Sequence, residues 1–381
     1  MRSWDIFCTV VDNYGDIGVC WRLARQLALD PGRRVRLWVD DLASFSRICP
    51  EIASDINTQH NCGVDVRRWR EPFAAAEPAD VVIEAFACDP PANYVAAMAQ
   101  RQPKPVWINL EFLSAENWVL GCHGLPSPHP TLPLMKYFFF PGFVKGTGGL
   151  LAEPGLVESR ERFQRTAAGQ ARYWHDLGLP APRAGEYQVS LFCYPNGGVG
   201  GLLRAWAAGS APLRCLVPEG IATQALSAFF DTETLAPGSV LRKAGLEVRI
   251  FPFLGQDQYD RLLWACDLNL VRGEDSFVRA QWAARPMLWQ IYPQAEGAHW
   301  PKLQAFLGLY CAGLPPEITA VVTRFWLAWN KGDEAGVESA WAEFWPYRLE
   351  LQAHARLWSD QLAASGDLAN KLAQFCGNLL K

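Results

Sequence analysis

The segment WDIFCTVVDNYGDIGVCWRLARQLAL, residues 4–29, contains a strand pattern, a short polar turn and a helix pattern in succession. Its first eight residues are mostly apolar, which predicts a buried strand, and from Ile17 onward apolar residues recur with the helical period. Further apolar runs follow at residues 34–40, 80–86 and 105–111. Strands separated by helix-length segments predict a parallel sheet covered on both faces, and therefore an α/β fold.

The same pattern begins again at Tyr187 and predicts a second doubly wound α/β domain. The predicted strands there occupy residues 187–194, 213–218, 246–254, 267–273 and 286–293. From about Glu296 the pattern predicts helices, and the best linker candidate is LPAPRAGE at residues 179–186. We therefore predict domains over residues 1–182 and 183–360, with a C-terminal helix over 361–381 that could pack back on the first domain. Two such domains facing each other across a cleft would bind ligands at the carboxyl ends of their strands.

The composition of the 381-residue chain excludes several classes of protein. Half of the residues are hydrophobic and 19% are charged, which excludes a disordered protein. The formal net charge of −4 offers no basic face to nucleic acid, and no apolar run approaches the roughly 18 residues of a membrane span. Eleven cysteines without a CxxC pair favour free thiols over disulfides or a zinc site. We therefore expect a cytoplasmic protein with no metal site that binds neither nucleic acid nor a membrane.

Two carboxylates, Asp12 and Asp16, lie in the turn VVDNYGDIG between the first predicted strand and helix. The glycines of this turn do not form a GxGxxG fingerprint, and the acids would repel a pyrophosphate, so NAD binding is disfavoured. Capping of the helix by Asp12 or Asp16 would explain one of the two acids. It would not explain both. A pair of carboxylates at the end of a strand suits a general base and a clamp for a cationic or hydroxylic substrate.

A second polar junction lies in LNLVRGEDSFVRAQW, residues 268–282. The predicted strand ends at Arg272 and Gly273, and Glu274, Asp275 and Ser276 open the next helix. Capping by Asp275 or Ser276 is one interpretation. In the other, the helix N-terminus holds a diphosphate and Glu274 accepts hydrogen bonds from ribose hydroxyls. The sequence leaves both interpretations open.

Aromatic side chains occur at other strand ends of the second half. Phe253 and Gln256 flank a predicted strand-to-helix junction, where they could stack on and pair with a nucleobase, although core packing explains the phenylalanine equally well. Phe192, Tyr194 and Tyr292 lie at further strand ends. The sequence contains no GxSxG, HxxxH or triad-like grouping, so hydrolase and metalloenzyme functions have little support.

Four stretches together resemble the bacterial protein-arginine rhamnosyltransferases that modify translation elongation factor P. These stretches are VDNYGDIGVCWRLARQL, LFCYPN, PFLGQDQYDRLLWACDLNLVRGEDSFVRAQWA and WQIYPQ. The resemblance covers nearly the whole chain and implies a GT-B-type fold, with two Rossmann-like, doubly wound domains facing across a cleft and a helical C-terminal region. It also implies inverting, metal-independent transfer of L-rhamnose from dTDP-β-L-rhamnose to an arginine nitrogen.

The resemblance implies roles for individual residues as well. Asp12 and Asp16 match the essential acid pair of the family, and Glu274 matches a glutamate that contacts the donor. The other implied donor contacts are Asn13, Tyr14, Gly15, Phe192, Tyr194, Phe253, Leu254, Gln256, Arg272, Gly273, Asp275, Ser276 and Tyr292.

The chemistry of arginine agrees with an acid pair, because its guanidinium is protonated up to a pKa of about 12.5 and is a poor nucleophile in that form. We expect Asp16 to act as the base and Asp12 to orient the guanidinium. Three alternatives remain: another GT-B enzyme with a different donor or acceptor, a sugar-nucleotide epimerase, and a non-catalytic protein that binds a translation factor. A pure binding protein would have no need of an acid pair, which favours an enzyme.

Overall fold

The computed structural model describes residues 1–12 and 14–380 of the chain. The chain divides into two compact units, of which the first comprises residues 1–154 and 362–381 and the second comprises residues 155–361. Within the described residues, each unit contains one mixed sheet, with eight strands in the first and six in the second.

In the first unit, strands and helices alternate along the chain up to residue 154, with two exceptions. Its elements are β1 (Arg2–Cys8), α1 (Gly15–Ala28), β2 (Arg33–Val39), α2 (Leu42–Ile48), β3 (Thr58–Asn61), β4 (Val64–Arg68), β5 (Val81–Ala85), α3 (Ala92–Gln100), β6 (Val106–Leu110), α4 (Trp118–Cys122), β7 (Pro126–Pro128) and β8 (Met135–Phe139). Strands β3, β4 and β5 follow one another directly, as do β7 and β8. The strand order is β3-β4-β2-β1-β5-β6-β8-β7, and only the edge strands β3 and β7 are antiparallel to their neighbours among the described residues. Ile6, Phe7 and Cys8 of β1 are fully buried, as expected for a parallel strand covered on both faces.

The order of strands in this sheet reverses at β1. The chain runs outward from β1 to β2 and β4 and then returns to β5 on the other side of β1. The carboxyl end of β1 is therefore a topological switch point, which is where open α/β sheets bind their ligands. The turn that follows β1 contains Asp12 and Asp16.

The second unit repeats this arrangement and adds helices at its end. Its elements are α5 (Leu156–Arg165), α6 (Ala167–Asp176), β9 (Tyr187–Leu191), α7 (Val199–Ala208), β10 (Leu213–Pro218), α8 (Thr223–Phe230), β11 (Val240–Lys243), β12 (Leu246–Phe251), α9 (Gln256–Ala265), β13 (Leu268–Arg272), α10 (Asp275–Ala283), β14 (Met287–Gln290), α11 (His299–Tyr310), α12 (Pro316–Lys331), α13 (Glu334–Phe344) and α14 (Arg348–Ala364). The strand order β11-β12-β10-β9-β13-β14 reverses between β9 and β13. The predicted donor-binding residues that follow β9 and β13 therefore lie at a second switch point.

The predicted domain boundary at residue 182 is wrong, because residues 155–182 belong to the second unit. The Gln164 Nε2 amide on α5 donates hydrogen bonds to the carbonyl oxygens of Trp264 (3.1 Å) and Ala283 (3.0 Å). Trp174 on α6 is buried in a cluster with side chains from β10 and β12. The proline- and glycine-containing segment at 179–186 is therefore a loop inside the second unit.

The C-terminal residues do not form a separate domain. After α14, which spans the division at residue 361, helix α15 (Leu368–Leu379) groups with the first unit. Asp367 Oδ1 accepts a hydrogen bond from Gln26 Nε2 on α1 at 2.7 Å, and the Leu368 N–H donates to the Leu150 carbonyl at 2.9 Å. These contacts attach the end of the chain to the helix that contains Asp16.

Candidate active site

In the first unit, the candidate site is the turn from the end of β1 into α1, residues 9–16, which we call the acid loop. The Asp16 side chain is only 4% exposed, and its Oδ2 accepts hydrogen bonds from the backbone N–H groups of Val11 and Asp12, both at 2.8 Å. Both bonds go to the same oxygen, and no hydrogen bond to Oδ1 occurs within residues 1–12 and 14–380. The carboxylate is thereby fixed in orientation at the switch point of the sheet.

Neither aspartate occupies the N-cap position of α1, so the capping interpretation is wrong. Tyr14 is the N-cap residue and makes no side-chain capping bond, whereas Asp16 lies inside the first turn of the helix. The carboxylate of Asp16 binds the loop before the helix rather than the helix amides. A residue that stabilises a helix start through its cap would make the opposite set of bonds.

The environment of Asp16 raises the pKa of its carboxyl group above the ordinary value. Burial is the largest cause, and the negative charge of Asp40 acts in the same direction. The hydrogen bonds from Asp12 and Val11 lower the pKa but do not offset the burial. A carboxylate with a raised pKa is a stronger base than one in water, which suits a group that must accept a proton.

Gly15 makes room for the Asp12 side chain. A Cβ atom at residue 15 would lie 2.8 Å from Asp12 Oδ2, closer than real Cβ contacts allow. The Gly15 N–H donates to the Asp12 carbonyl at 2.8 Å, and the Tyr14 carbonyl accepts from the Gly18 N–H at 2.9 Å. The predicted contact residue Asn13 lies outside the described residues.

In the second unit, an arginine stacked between two aromatic rings forms the centre of the candidate site. The Arg272 guanidinium carbon lies 4.4 Å from the centroid of the Phe192 ring and 4.6 Å from that of Tyr194. Its Nη1 also donates to the Cys193 carbonyl at 3.3 Å. A positive charge is therefore held at the carboxyl ends of β9 and β13 by cation–π contacts.

Helix α10 begins next to this stack, and its N-cap residue is Glu274, with no side-chain capping bond. The interpretation that Asp275 or Ser276 caps the helix is therefore wrong. The Ser276 hydroxyl accepts from the Arg272 N–H at 3.1 Å and donates to the Arg272 carbonyl, which ties the end of β13 to the helix. Gly273 has a φ of 59°, and its carbonyl accepts from Trp289 Nε1 at 2.8 Å.

The other predicted donor residues of this unit divide into three groups. Phe253 packs edge-on against Phe192, with ring centroids 6.1 Å apart, and the half-exposed Tyr292 packs against Tyr194 at 5.4 Å. Gln256, at the start of α9, donates from Nε2 to Asp275 Oδ2 at 3.2 Å. Leu254, in contrast, is buried in the apolar cluster that also contains Trp174.

One residue of this cluster was missed in the sequence analysis. The Tyr259 ring packs against Phe192 with centroids 5.7 Å apart, and burial strongly raises the pKa of its phenol. Tyr259 lies three residues after Gln256, so both project from the same side of α9. That spacing was the available signal, because Gln256 had already been selected.

Neither a metal-binding cluster nor a membrane-spanning helix occurs among the described residues. Residues 1–12 and 14–380 contain no cluster of three His, Cys, Asp or Glu side chains that could hold a metal ion. None of the described helices combines the length and the apolar character needed to cross a bilayer.

Comparisons with known proteins match the chain to one family. Residues 4–377 match the family model described as elongation factor P (EF-P) rhamnosyltransferase EarP. The chain is 50% identical over 381 residues to a protein-arginine rhamnosyltransferase of Pseudomonas putida, and the alignment covers 99% of each of the two chains. It is also 50% identical over 380 residues to a protein-arginine rhamnosyltransferase of Pseudomonas aeruginosa, and this alignment covers 100% of each of the two chains.

A solved structure that explains EarP-mediated arginine glycosylation of translation elongation factor EF-P matches with a TM-score of 0.70. It is 35% identical and covers 99% of both chains. These matches define a glycosyltransferase. The chain belongs to the EarP family of elongation factor P rhamnosyltransferases. The predicted family and the predicted GT-B-type α/β fold class with two Rossmann-like domains are confirmed.

Proposed function

We propose that this protein transfers L-rhamnose from dTDP-β-L-rhamnose to a side-chain nitrogen of an arginine in translation elongation factor P, with inversion and without a metal. Membership of the family and the names of its relatives support the acceptor and the sugar. The observation that carries the proposal is the geometry of Asp16. Its carboxylate is buried, fixed by two backbone amides through one oxygen, and made more basic by its surroundings.

The carboxylates of the acid loop can activate the acceptor arginine, whose guanidinium is a poor nucleophile while it is protonated. A protonated guanidinium has no lone pair to offer, so a nitrogen must lose a proton as it attacks the anomeric carbon. In the proposed step Asp16 accepts that proton, the new N–C1 bond forms, and the C1–O bond to the diphosphate breaks. Asp12 holds the guanidinium by charge-assisted hydrogen bonds. Because one base and an in-line approach suffice, inversion follows and no sugar–enzyme bond is formed.

The residues of the second unit suit the dTDP part of the donor. The leaving diphosphate carries negative charge, and the guanidinium of Arg272 and the N-terminus of α10 are positive groups at the same strand ends. We assign Glu274 to the ribose hydroxyls. Phe192, Phe253 and Tyr259 provide an aromatic cluster on which the thymine can stack. In this proposal Arg272 supplies the charge neutralisation that a divalent cation supplies in other glycosyltransferases.

The direct test is to incubate the protein with elongation factor P and dTDP-β-L-rhamnose and to weigh the intact acceptor. We expect an increase by one rhamnosyl group, located on one arginine by peptide mapping. Reactions without donor, and with an acceptor that carries lysine in place of that arginine, are the controls. An unchanged acceptor mass would overturn the proposal, and conversion of the nucleotide sugar without transfer would favour an epimerase.

The Glu274→Ala variant is expected to bind dTDP about tenfold or more weakly, because a charge-assisted hydrogen bond contributes roughly 1.5–3 kcal/mol. Isothermal titration calorimetry with dTDP measures this, and the melting temperature should remain close to that of the wild type. Glu317→Ala removes an exposed acid from α12 in the same unit and is the matched control. Unchanged affinity in a folded Glu274→Ala protein would remove this glutamate from the site.

The Gly15→Ala variant is expected to reduce kcat/KM by about 100-fold, because the added methyl group displaces Asp12 and small misplacements of catalytic groups are costly. Affinity for dTDP should not change, since the predicted nucleotide contacts on α10 and β9 are untouched. Gly308→Ala on α11 is the control, because its added Cβ meets no described heavy atom within 4 Å. Near-normal turnover by Gly15→Ala would show that the position of Asp12 is unimportant.

A further inference from the structure

Three consecutive backbone N–H groups of the acid loop are held by two carboxylates from different parts of the first unit. The Val10 N–H donates to Asp40 Oδ1 at 2.9 Å. The next two N–H groups along the loop, those of Val11 and Asp12, donate to Asp16. Asp16 lies at the start of α1, whereas Asp40 lies outside the loop, directly after β2. The position of the loop therefore depends on a residue from a neighbouring strand.

The register of the sheet brings Asp40 to the base of the acid loop. Cys8 of β1 pairs with Val39 of β2, so the two parallel strands end side by side and residues 9 and 40 leave the sheet next to each other. Asp40 Oδ1 also accepts a hydrogen bond from the Asp41 N–H at 2.8 Å. One oxygen of Asp40 thus joins the start of the acid loop to the segment that leads into α2.

Helix capping does not account for the contact between Asp40 and Val10. The cap residue of α2 is Asp41, whose side chain accepts from the N–H groups of Ala43 at 2.9 Å and Ser44 at 3.0 Å. Asp40 is exposed to solvent and precedes this cap. Its contact with Val10 is instead a link between two loops at the switch point of the sheet, where the proposed catalytic acids lie.

The charge of Asp40 also acts on Asp16. After burial, which is the largest cause, the negative charge of Asp40 raises the pKa of Asp16. The Cys8 thiol, at the end of β1, lies close to both acids. A hydrogen bond with Cys20 and burial raise the pKa of this thiol well above the ordinary value, so it is neutral near pH 7 and adds no charge. Asp40 therefore affects both the position of the loop and the proton affinity of Asp16.

Cations lie at this edge of the sheet as well, on the strand beyond β2. Arg67 and Arg68 belong to β4, and Arg70 follows it. The Arg67 guanidinium carbon lies 5.4 Å from the centroid of the Trp38 ring. The Arg68 guanidinium donates to the Ser54 carbonyl, and the Arg70 side chain is exposed. Because the edge carries charges of both signs, the specific bond to the acid loop, rather than the overall charge, distinguishes the carboxylate of residue 40.

We propose that Asp40 is a positioning residue for rhamnosyl transfer, which holds the start of the acid loop so that Asp12 and Asp16 face the acceptor arginine. The inference rests on the proposed function and adds to it a residue that acts through the loop rather than on the substrate. A catalytic group that is misplaced by about 1 Å can lose a factor of about 10² in rate, so the anchoring of this loop matters for turnover.

The test compares two substitutions at residue 40 in steady-state transfer kinetics with elongation factor P and dTDP-β-L-rhamnose. Asp40→Ala removes the acceptor of the Val10 N–H, and we expect kcat to fall about tenfold or more while KM for the acceptor stays near the wild-type value. Asp40→Asn keeps an amide oxygen in place of Oδ1, which can accept both backbone hydrogen bonds, and should retain most of kcat.

The pH profile of kcat gives a second readout, which a merely structural role would not change. Transfer requires an ionised Asp16, so kcat falls as the pH decreases through the pKa of this group. Asp40→Asn removes a negative charge that raises this pKa, so the acid limb of the profile should move to lower pH by roughly half a pH unit. Asp55→Asn, at an exposed position of the same unit, should leave the profile unchanged. An unshifted acid limb in Asp40→Asn would show that Asp40 does not act on Asp16.

Asp41→Ala is the control for the stability of the junction between β2 and α2. It removes the cap of α2 but leaves the bond between Val10 and Asp40. Its melting temperature should fall, because a cap is lost, while kcat measured below that temperature should stay near the wild-type value. An equal loss of kcat in Asp41→Ala and Asp40→Ala would overturn the inference, because the loss would then come from the stability of the junction.

The remaining outcomes separate the inference from the proposed function. A folded Asp40→Ala protein with the wild-type kcat would overturn the positioning role and leave the function standing. An equal loss of kcat in Asp40→Asn would overturn it too, because the hydrogen bond would not be the cause. A rise in acceptor KM without a fall in kcat would indicate direct contact with the acceptor and contradict a role through the loop. If the wild type transfers no rhamnose, the proposed function itself fails.

Discussion

Replacement of Asp16 by asparagine is expected to reduce rhamnosyl transfer by about 10²–10⁴-fold, the usual effect of losing a general base. The amide cannot accept the arginine proton or balance the guanidinium charge. The fold should persist, because one oxygen of the side chain accepts both backbone hydrogen bonds and the amide oxygen can do the same. Initial rates with elongation factor P and dTDP-β-L-rhamnose measure the effect.

The stability of Asp16→Asn should depend on pH in a defined direction. Because the pKa of Asp16 is higher in the folded protein than its ordinary value of 3.8, this group stabilises the fold fully below that value. The contribution is lost as the pH rises through the raised pKa, where the buried carboxyl ionises. The variant should therefore melt at or above the wild-type temperature at neutral pH, and the difference should shrink in acid.

Asp55→Asn is the control for Asp16→Asn, because it makes the same chemical change at an exposed position of the first unit. It should leave turnover and melting unchanged. A stable Asp16→Asn protein with near-normal turnover would rule out Asp16 as the base. A melting temperature well below that of the wild type at neutral pH would contradict the account of its burial, and turnover would then be measured below that temperature.

The second large effect is expected from replacing Arg279, which joins α10 to α9, the two helices whose first turns contain predicted donor residues. Its Nε donates to Asp260 Oδ1 at 2.9 Å and its Nη2 to Oδ2 at 2.6 Å, and both side chains are almost fully buried. Arg279→Met leaves the Asp260 carboxylate without this partner in the interior. We expect a loss of about 3–5 kcal/mol in the free energy of unfolding. Urea unfolding followed by near-ultraviolet circular dichroism measures the loss.

The double variant Asp260→Leu/Arg279→Met tests the cause of that loss. Removal of both charges should recover most of the stability, because an apolar pair can replace a buried ion pair at little cost. Arg204→Met breaks an exposed ion pair with Glu334 and Glu338 and should have a much smaller effect. If the double variant is as unstable as Arg279→Met, packing rather than the unpaired charge is responsible.

The parts of the fold that follow from the sequence are those with a strong apolar pattern. The central strands β1, β9 and β13 are mostly buried and contain a majority of apolar residues, and they lie where the pattern predicts them. The edge strand β3 is the polar segment TQHN, which has no such pattern, and it forms because β4 offers a partner. Helices α5 and α6 are separated only by Thr166, although residues 156–176 contain no proline that would end a helix there. These features depend on contacts between residues that are distant in sequence, and a local sequence pattern cannot predict such contacts.

The candidate site also combines features that follow from the sequence with features that do not. The positions of Asp12, Asp16 and Glu274 at strand ends follow from the order of strands and helices. Their hydrogen bonds do not, because both capping interpretations placed polar groups on helix amides. In the structure Asp16 binds the preceding loop, and Ser276 binds the end of β13. The stack of Arg272 between two aromatic rings joins residues about 80 positions apart, a relation that only the folded sheet creates.

The assignment of α15 to the first unit has a consequence for biosynthesis. The ribosome makes the whole of the second unit before the first can be completed, because residues 362–381 follow the second unit in the sequence and return to the helix that begins at Gly15. Until residues 367–379 emerge, α1 lacks its bond from Gln26 to Asp367 and the packing of α15. Domains generally fold in the order in which they emerge, but this N-terminal unit is completed only after the second unit has been made. A product truncated after the second unit would thus retain every proposed catalytic residue and still lack the contacts that α15 makes with α1.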